Sequence, residues 1–233
     1  MIAMSIAQNI EKLEERIQKA CDTAARKRDE ITLMGVSKFQ PIEFVREAWQ
    51  AGIRCFGESR VKEGAEKFEA FRKEQPTVRV HLIGSLQRNK AKTAAAFFDC
   101  IQSVDRQELI GELEKYADRE KPLPLLLELH TGEESKRGFS DIDGLFRAAE
   151  QILESKGLRP RGLMTMAPFT EDREAIRHSF RLLANARKEL EKRFPPADNW
   201  VCLSMGMTND FEIAIEEGST LLRIGSAIFG ERL

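Results

Sequence analysis

Short apolar segments alternate with helical patterns along nearly the whole of this 233-residue chain. Segments typical of buried strands are predicted at residues 31–38, 53–57, 78–84, 99–104, 123–130, 158–166, 200–205 and 220–225. Helical patterns are predicted at residues 5–28, 41–51, 59–72, 87–97, from 106 onward, 141–156, 171–193 and 209–217. Strands separated by helices are typical of a parallel α/β sheet. Eight of them favour a closed, TIM-type (β/α)8 barrel with an extra N-terminal helix over the alternative, an open doubly wound sheet.

The length and composition fit one continuous core. A (β/α)8 barrel takes about 250 residues, and no Gly/Ser linker, charge block or low-complexity tract divides the chain. We therefore expect a single domain over residues 1–233. The net charge is −1, so there is no bulk positive field and we expect no nucleic-acid partner. Charged residues surround the predicted helices, which favours a monomer.

The N-terminal segment, the apolar runs and the cysteines indicate the compartment. The chain opens without a basic segment followed by an apolar run, so we expect no secretory signal. No stretch approaches the roughly 18 apolar residues of a membrane span. Cys21, Cys55, Cys100 and Cys202 are scattered, with neither CxxC nor Cys/His ligand spacing. We therefore expect reduced thiols, a cytoplasmic location and no metal site.

The barrel hypothesis places functional side chains at the carboxyl ends of strands, and Lys38 ends the first predicted strand. Lys38 shares strand parity with Met34 and Val36, so its amine points inward if theirs do. Partial burial lowers the pKa of a lysine amine and makes it a nucleophile that forms Schiff bases. The alternative is a lysine that simply leaves the strand for solvent.

Small and hydroxyl residues follow the last two predicted strands, in the segments 204–208 (SMGMT) and 223–226 (RIGS). Phosphate sites of barrels often lie after strands 7 and 8, where backbone N–H groups and hydroxyls face the anion. The alternative is ordinary turn chemistry, with Thr208 or Asn209 capping the next helix. The segment 84–90 lacks the residues of a Walker phosphate loop, and His81, His130 and His178 share no metal-ligand spacing.

Several motifs in order along the chain resemble those of one known family. They are VSK at 36–38 followed by Pro41, FGE at 56–58, HLIGSLQRNK at 81–90, SKRGF at 135–139, GLM at 162–164, LSMGMTND at 203–210 and RIGSAIFG at 223–230. Together they resemble the YggS/PROSC family of pyridoxal phosphate homeostasis proteins, over residues 5 to 233. That family is similar to the N-terminal barrel of bacterial alanine racemase and to the fold-type III decarboxylases.

The resemblance implies a barrel that binds pyridoxal 5′-phosphate (PLP) as a Schiff base. Lys38 matches the Schiff-base lysine, and Arg223 matches the arginine that faces the pyridine nitrogen. Ser204, with Gly206 and Thr208 in its loop, matches the phosphate-binding segment, and Gly225 with Ser226 matches the phosphate-binding turn. Two departures stand out. Ser59 and Arg60 replace the family's usual Asn-Tyr after Gly57-Glu58, which leaves the affinity for PLP open, and Thr208 replaces the more common Ser.

The resemblance and the sequence together favour a PLP carrier over an enzyme. A two-base racemase needs a second base, typically a tyrosine from a further domain. The chain ends at Leu233, and its one tyrosine, Tyr116, is far in sequence from every predicted strand end. We therefore expect no catalytic residues and a role in PLP homeostasis, with apo PLP-dependent enzymes as partners. The alternatives are a one-base racemase or lyase that uses Lys38, and a barrel that binds another phosphorylated metabolite without a covalent bond.

Overall fold

Eight parallel strands close into a barrel, in which each strand pairs with the next and the last pairs with the first. A computed structural model describes residues 5–132 and 138–230. The strands are β1 (Thr32–Val36), β2 (Cys55–Glu58), β3 (Arg79–Leu82), β4 (Cys100–Val104), β5 (Leu123–Glu128), β6 (Leu158–Met164), β7 (Cys202–Ser204) and β8 (Leu221–Ile224). The predicted closed barrel is confirmed, and the open doubly wound alternative is wrong.

Helices alternate with the strands and surround the barrel. They are α1 (Ile6–Thr23), α2 (Ile42–Gln50), α3 (Val61–Glu74), α4 (Ala91–Phe97), α5 (Gln107–Glu114), α6 (Ile142–Glu154), α7 (Arg173–Arg193), α8 (Phe211–Glu216) and α9 (Ser226–Phe229). The extra helix α1 begins at Ser5 with a capping box formed with Gln8. Its apolar face is buried against α2, α8 and α9. No helix in the described part of the chain is long and apolar enough to cross a membrane.

Several strands are shorter than the apolar runs that predicted them. β1 ends at Val36, so Lys38 lies in the turn that follows and not in the strand. The predicted seventh strand begins at Trp200, but Trp200 belongs to a short 3-10 helix that precedes β7. The cause is that apolar residues beyond the ladders stay covered by the loops. Leu129, for example, belongs to the predicted run 123–130 and is 8% exposed, although β5 ends at Glu128.

Two layers of side chains fill the fold. Most apolar residues, such as Phe56, Val80 and Leu163, pack between the strands and the surrounding helices. The inside of the barrel holds two smaller clusters, which consist of Met34, Cys55 and Leu221 and of Cys100, Leu126 and Met164. Three buried polar side chains share strand parity with these interior residues, namely Gln102, Ser204 and Arg223. The barrel interior is therefore partly polar.

Candidate functional site

A cavity of about 790 Å³ opens at the carboxyl ends of the strands, the end at which barrels carry their functional residues. Its lining includes the predicted residues Lys38, Thr208, Arg223, Gly225 and Ser226. The other two predicted site residues, Ser204 and Gly206, are not part of the lining. The fold therefore brings an amine, a guanidinium and two hydroxyls from three separate segments into one cavity.

The turn that carries Lys38 is held on both sides by side chains from β2 and α3. Before Lys38, the Ser37 hydroxyl donates to Glu58 Oε1 at 2.7 Å, and the Ser37 carbonyl accepts from Lys67 Nζ at 2.8 Å. After Lys38, the backbone N–H of Phe39 donates to Glu63 Oε1 at 2.8 Å. Phe39 has a φ of 65°, an uncommon value for a residue other than glycine. These bonds fix the backbone on either side of Lys38.

Glu58 and Lys67 form a buried ion pair behind this turn. Lys67 Nζ lies 2.9 Å from Glu58 Oε1, and the two side chains are 10% and 0% exposed. Glu58 Oε2 is buried without a hydrogen-bond partner. Burial raises the pKa of Glu58 above its ordinary value, and the charge of Lys67 and the hydroxyl of Ser37 oppose that shift. Lys67 therefore provides the main charge that opposes protonation of Glu58.

The two predicted phosphate segments meet at their hydroxyl groups. Ser226 Oγ donates to Thr208 Oγ1 at 3.1 Å, and the backbone N–H of Ala227 donates to the same oxygen at 3.5 Å. The alternative, in which Thr208 or Asn209 caps α8, is wrong because Asp210 occupies the N-cap position. Thr208 therefore turns its hydroxyl towards the end of β8, as an anion site shared by the two segments requires.

Ser204 and Gly206 support the cavity from behind its wall. Ser204 is fully buried; its hydroxyl donates to Gln102 Oε1 at 2.6 Å and accepts from Arg223 Nη1 at 2.7 Å. Gly206 has a φ of 99°, and a Cβ there would lie 2.7 Å from the Cβ of Ala214. Only glycine allows the loop to turn this closely over α8. Direct contact of Ser204 with a phosphate stays a prediction.

Arg223 is the charged group at the floor of the cavity. Its Nη1 donates to the carbonyl of Ser204 and its Nη2 to the carbonyl of Thr165, each at 2.7 Å. Burial lowers the pKa of Arg223 below its ordinary value, and the carboxylates of Asp210 and Glu128 oppose that shift. The guanidinium stays cationic, and its hydrogen bonds leave it one orientation.

A chain of hydrogen bonds runs from Arg223 through the barrel to His81 on β3. Because a guanidinium only donates, Ser204 Oγ accepts a hydrogen bond from Arg223. The Ser204 hydroxyl then donates its own hydrogen bond to Gln102 Oε1. The amide nitrogen of Gln102 then donates to His81 Nδ1 at 2.8 Å. The proton of the neutral imidazole therefore sits on Nε2. Desolvation, assisted by the charges of Arg79 and Arg72, lowers the pKa of His81 to about 4.

The two residues that depart from the family's pattern lie beside the cavity. Ser59 is part of the lining. Arg60 stacks its guanidinium over the ring of Phe39, with 4.9 Å between the guanidinium carbon and the ring centroid, which is a cation–π contact. Arg60 therefore contacts the residue next to Lys38 and leaves Ser59 as the side chain that faces the site.

Sequence reasoning missed the supporting residues Gln102, Thr165 and Glu128. Gln102 is a single amide within the apolar strand 100–104, and that isolated polar position was a usable signal. Thr165 acts through its backbone carbonyl, which no side-chain pattern predicts. Glu128 ends β5 and lines the cavity. Within the predicted strand 123–130 it is the one carboxylate, and it is 6% exposed.

The residues considered as alternative bases or metal ligands lie elsewhere. Tyr116 and Cys202 line a different cavity, at the amino ends of the strands. Desolvation raises the pKa of Cys202 to about 11, and all four cysteines are free thiols. His178 is exposed, and residues 5–132 and 138–230 contain no cluster of potential metal ligands. Residues 135–137 of the SKRGF motif lie outside the described residues.

Comparison with known proteins gives consistent matches over the full described length. Residues 5–233 match the family described as alanine racemase, N-terminal domain. The pyridoxal phosphate homeostasis protein of Vibrio alginolyticus is 40% identical over 232 residues, which cover 98% of both chains. PipY of Synechococcus elongatus, solved with PLP bound, is 31% identical with a TM-score of 0.83, and the match covers 97% of this chain and 100% of PipY.

A more distant match reaches the racemases themselves. Alanine racemase from E. faecalis is 17% identical with a TM-score of 0.71. The match covers 98% of this chain and 59% of that racemase. At this identity the likeness concerns the barrel fold alone.

Proposed function

Because this chain belongs to the pyridoxal phosphate homeostasis protein family, we propose that it binds PLP in the cavity at the carboxyl ends of the strands. The observation that carries the proposal is the convergence of Lys38, Arg223 and the hydroxyl pair of Thr208 and Ser226 on one cavity. Its volume of about 790 Å³ is in the range of small-molecule sites. PipY, with PLP bound in its solved structure, supports the same assignment.

Each lining residue has a role that its chemistry explains. Lys38 would provide the amine that holds the cofactor covalently. Thr208, Gly225 and Ser226 hold the phosphate, while Gly206 shapes their loop and Ser204 holds Arg223. The bound cofactor supplies an electron sink. Arg223 would hold the ring side of the cofactor; because a guanidinium, unlike a carboxylate, does not stabilise a protonated pyridine nitrogen, that sink would be weaker.

The cavity lining favours a carrier over a catalyst. None of the described residues that line it is a tyrosine, a cysteine or a histidine, and its two carboxylates, Glu128 and Asp210, act on the charge of Arg223. Tyr116 and Cys202, the two candidates for a second base, line the cavity at the other end of the barrel. We therefore propose that the protein buffers PLP in the cytoplasm and delivers it to apo-enzymes. A one-base racemase or lyase is the second candidate, because its barrel fold is shared with alanine racemase.

The first test is the visible absorption spectrum of the protein with PLP, followed by borohydride reduction and peptide mass mapping. We expect a yellow protein whose reduced adduct lies on Lys38, and a colourless Lys38→Ala variant. Lys62→Ala serves as the control, because Lys62 is 82% exposed on α3. Phosphate-competable binding without an adduct would instead favour the non-covalent metabolite site.

The second test separates a carrier from an enzyme. The loaded protein is mixed with an apo PLP-dependent enzyme, and recovery of that enzyme's activity is followed over time. We expect transfer, and no racemisation or cleavage of L-amino acids by the protein alone. Amino-acid conversion that disappears in Lys38→Ala would contradict the carrier proposal and favour the enzyme.

A further inference from the structure

A second cavity, of about 970 Å³, opens at the amino-terminal end of the barrel. Its lining includes the first residue of seven strands, namely Thr32, Cys55, Arg79, Cys100, Leu123, Cys202 and Leu221. In barrels this end usually contributes to stability and carries no ligand site. The proposed PLP site lies at the other end and makes no use of it. We refer to this space as the lower cavity.

Cationic side chains without ion pairs line the lower cavity. Arg79, Arg159, Arg161 and Lys121 are all exposed and belong to its lining. Within residues 5–132 and 138–230, none of the four has a carboxylate oxygen within the 4.0 Å of an ion pair. The net charge of the protein is −1, so this group of cations is a local feature. The four like charges repel one another, and an anion bound between them offsets that repulsion.

The carboxylates that line the lower cavity are already engaged. Glu30 pairs with Arg26 at 3.1 Å. Asp99 pairs with Arg72 and also accepts the backbone N–H of Val80 at 2.8 Å. Asp118 accepts the backbone N–H of Glu120 at 2.9 Å. Among the described residues of the lining, Asp118 is therefore the carboxylate whose charge is left to offset the four unpaired cations, and the cavity keeps an excess of three positive charges.

An irregularity in the sheet aims Arg161 into the lower cavity. Leu125 of β5 pairs with Pro160 and Leu126 pairs with Gly162, so Arg161 has no partner opposite it. Met164 lines the upper cavity and Arg161 the lower one, although strict alternation puts residues three apart on opposite faces of a strand. The extra residue of a β-bulge reverses the alternation. The bulge thus points Arg161 into the lower cavity, beside Cys100 and Cys202. Burial raises the pKa of both thiols, and the charge of Arg161 opposes that shift.

We propose that the lower cavity is a binding site for a small, multiply charged anion of the phosphate class. Planar guanidinium groups donate paired hydrogen bonds to phosphate oxygens, and three of them on β3 and β6 surround the space. His81 adds a neutral imidazole whose Nε2 carries a proton, a donor without further charge. This site is separate from the PLP site and does not require that the protein bind PLP.

Calorimetric titration with inorganic pyrophosphate at low ionic strength tests the proposal, because salt screens such contacts. We expect binding that weakens about 10- to 100-fold in Arg161→Gln and in Arg159→Gln, the effect of losing one charge-assisted hydrogen bond. Arg173→Gln is the matched control, because Arg173 is exposed at the start of α7 and its substitution removes the same charge. All three positions are exposed, so these variants are expected to fold.

Ser226→Ala distinguishes the lower cavity from the proposed phosphate contacts of the upper cavity. The proposal holds if pyrophosphate affinity falls in Arg161→Gln and Arg159→Gln but not in Arg173→Gln. It is overturned if wild-type protein binds no pyrophosphate, or if Arg173→Gln weakens binding as much as Arg161→Gln does. It is also overturned if Ser226→Ala abolishes binding while both β6 variants retain it, because the anion then occupies the upper cavity.

Discussion

Lys67 compensates the buried carboxylate of Glu58, and we expect Lys67→Met to destabilise the protein strongly. Glu58 is 0% exposed and Lys67 is 10% exposed, with 2.9 Å between Nζ and Oε1. Removing one partner of a buried ion pair costs about 3–5 kcal/mol, because the remaining group either stays charged and uncompensated or must take up a proton. That is a large part of the roughly 5–15 kcal/mol that stabilises a typical domain.

Urea denaturation followed by circular dichroism measures this change. Lys62→Met is the matched control on the same helix, because Lys62 and Glu66 are 3.8 Å apart with 82% and 68% exposure. Such an exposed pair contributes at most about 1 kcal/mol. The double variant Lys67→Met/Glu58→Gln removes both charges, and we expect it to recover most of the loss. A loss below about 1 kcal/mol in Lys67→Met would refute the assignment of a compensated buried charge.

The effect of Lys67→Met depends on pH with a defined sign. Burial already raises the pKa of Glu58, and without Lys67 it rises further. The folded variant then holds a proton that the unfolded chain, with an ordinary carboxyl pKa, has released. Its stability is therefore retained at acidic pH and lost as the pH rises through the raised pKa. The difference from wild type is expected to be larger at pH 8 than at pH 5.

Three further predictions concern single positions. The pKa of His81 is lowered to about 4, below the unfolded value of about 6.5, so its contribution to stability is lost as the pH falls from the higher value to the lower. His81→Gln should therefore flatten this part of a stability–pH curve by about 2–3 kcal/mol. His178→Gln, at an exposed position, is the control and should leave the curve unchanged. A Cβ at Gly84 would lie 2.2 Å from the carbonyl oxygen of Ser59, so Gly84→Ala should lower the denaturation midpoint by an amount equivalent to about 1–3 kcal/mol. Gly111 in α5 has only Gln151 Nε2 nearby, at 3.5 Å, and Gly111→Ala should raise stability by up to about 1 kcal/mol; a loss there would contradict the packing of α5.

The sequence predicts the fold well because the strand and helix periodicities of a barrel are local. Each of the eight apolar runs contains a strand, and the helix from Ser5 has its apolar face where the spacing of Ile10, Leu13 and Ile17 puts it. The ends of the strands are less predictable. Ser37 and Leu129 lie beyond the ends of β1 and β5 and are buried all the same, so burial does not mark the end of a hydrogen-bonded ladder.

The upper site is predictable where the topology alone brings residues together. Lys38, Thr208 and Ser226 follow strands, and closure of the barrel gathers strand ends. The position of Ser204 behind Arg223 depends on which way two buried side chains turn, which strand parity does not decide. The lower cavity is hidden for a similar reason, because the β-bulge at Arg161 depends on the register between β5 and β6.

Arg223 also connects strands at the place where the barrel wall has its shortest ladder. β7 and β8 are paired at one position, Ser204 with Leu221, whereas β5 and β6 are paired at six. The guanidinium on β8 ties the carbonyls of Ser204 and Thr165 together across that seam. Because Arg223 forms the floor of the cavity and also links these carbonyls, we expect the floor to stay in place when a ligand binds. The wall of the cavity that is open to change is therefore the one that carries Phe169, which lines the cavity and is 86% exposed.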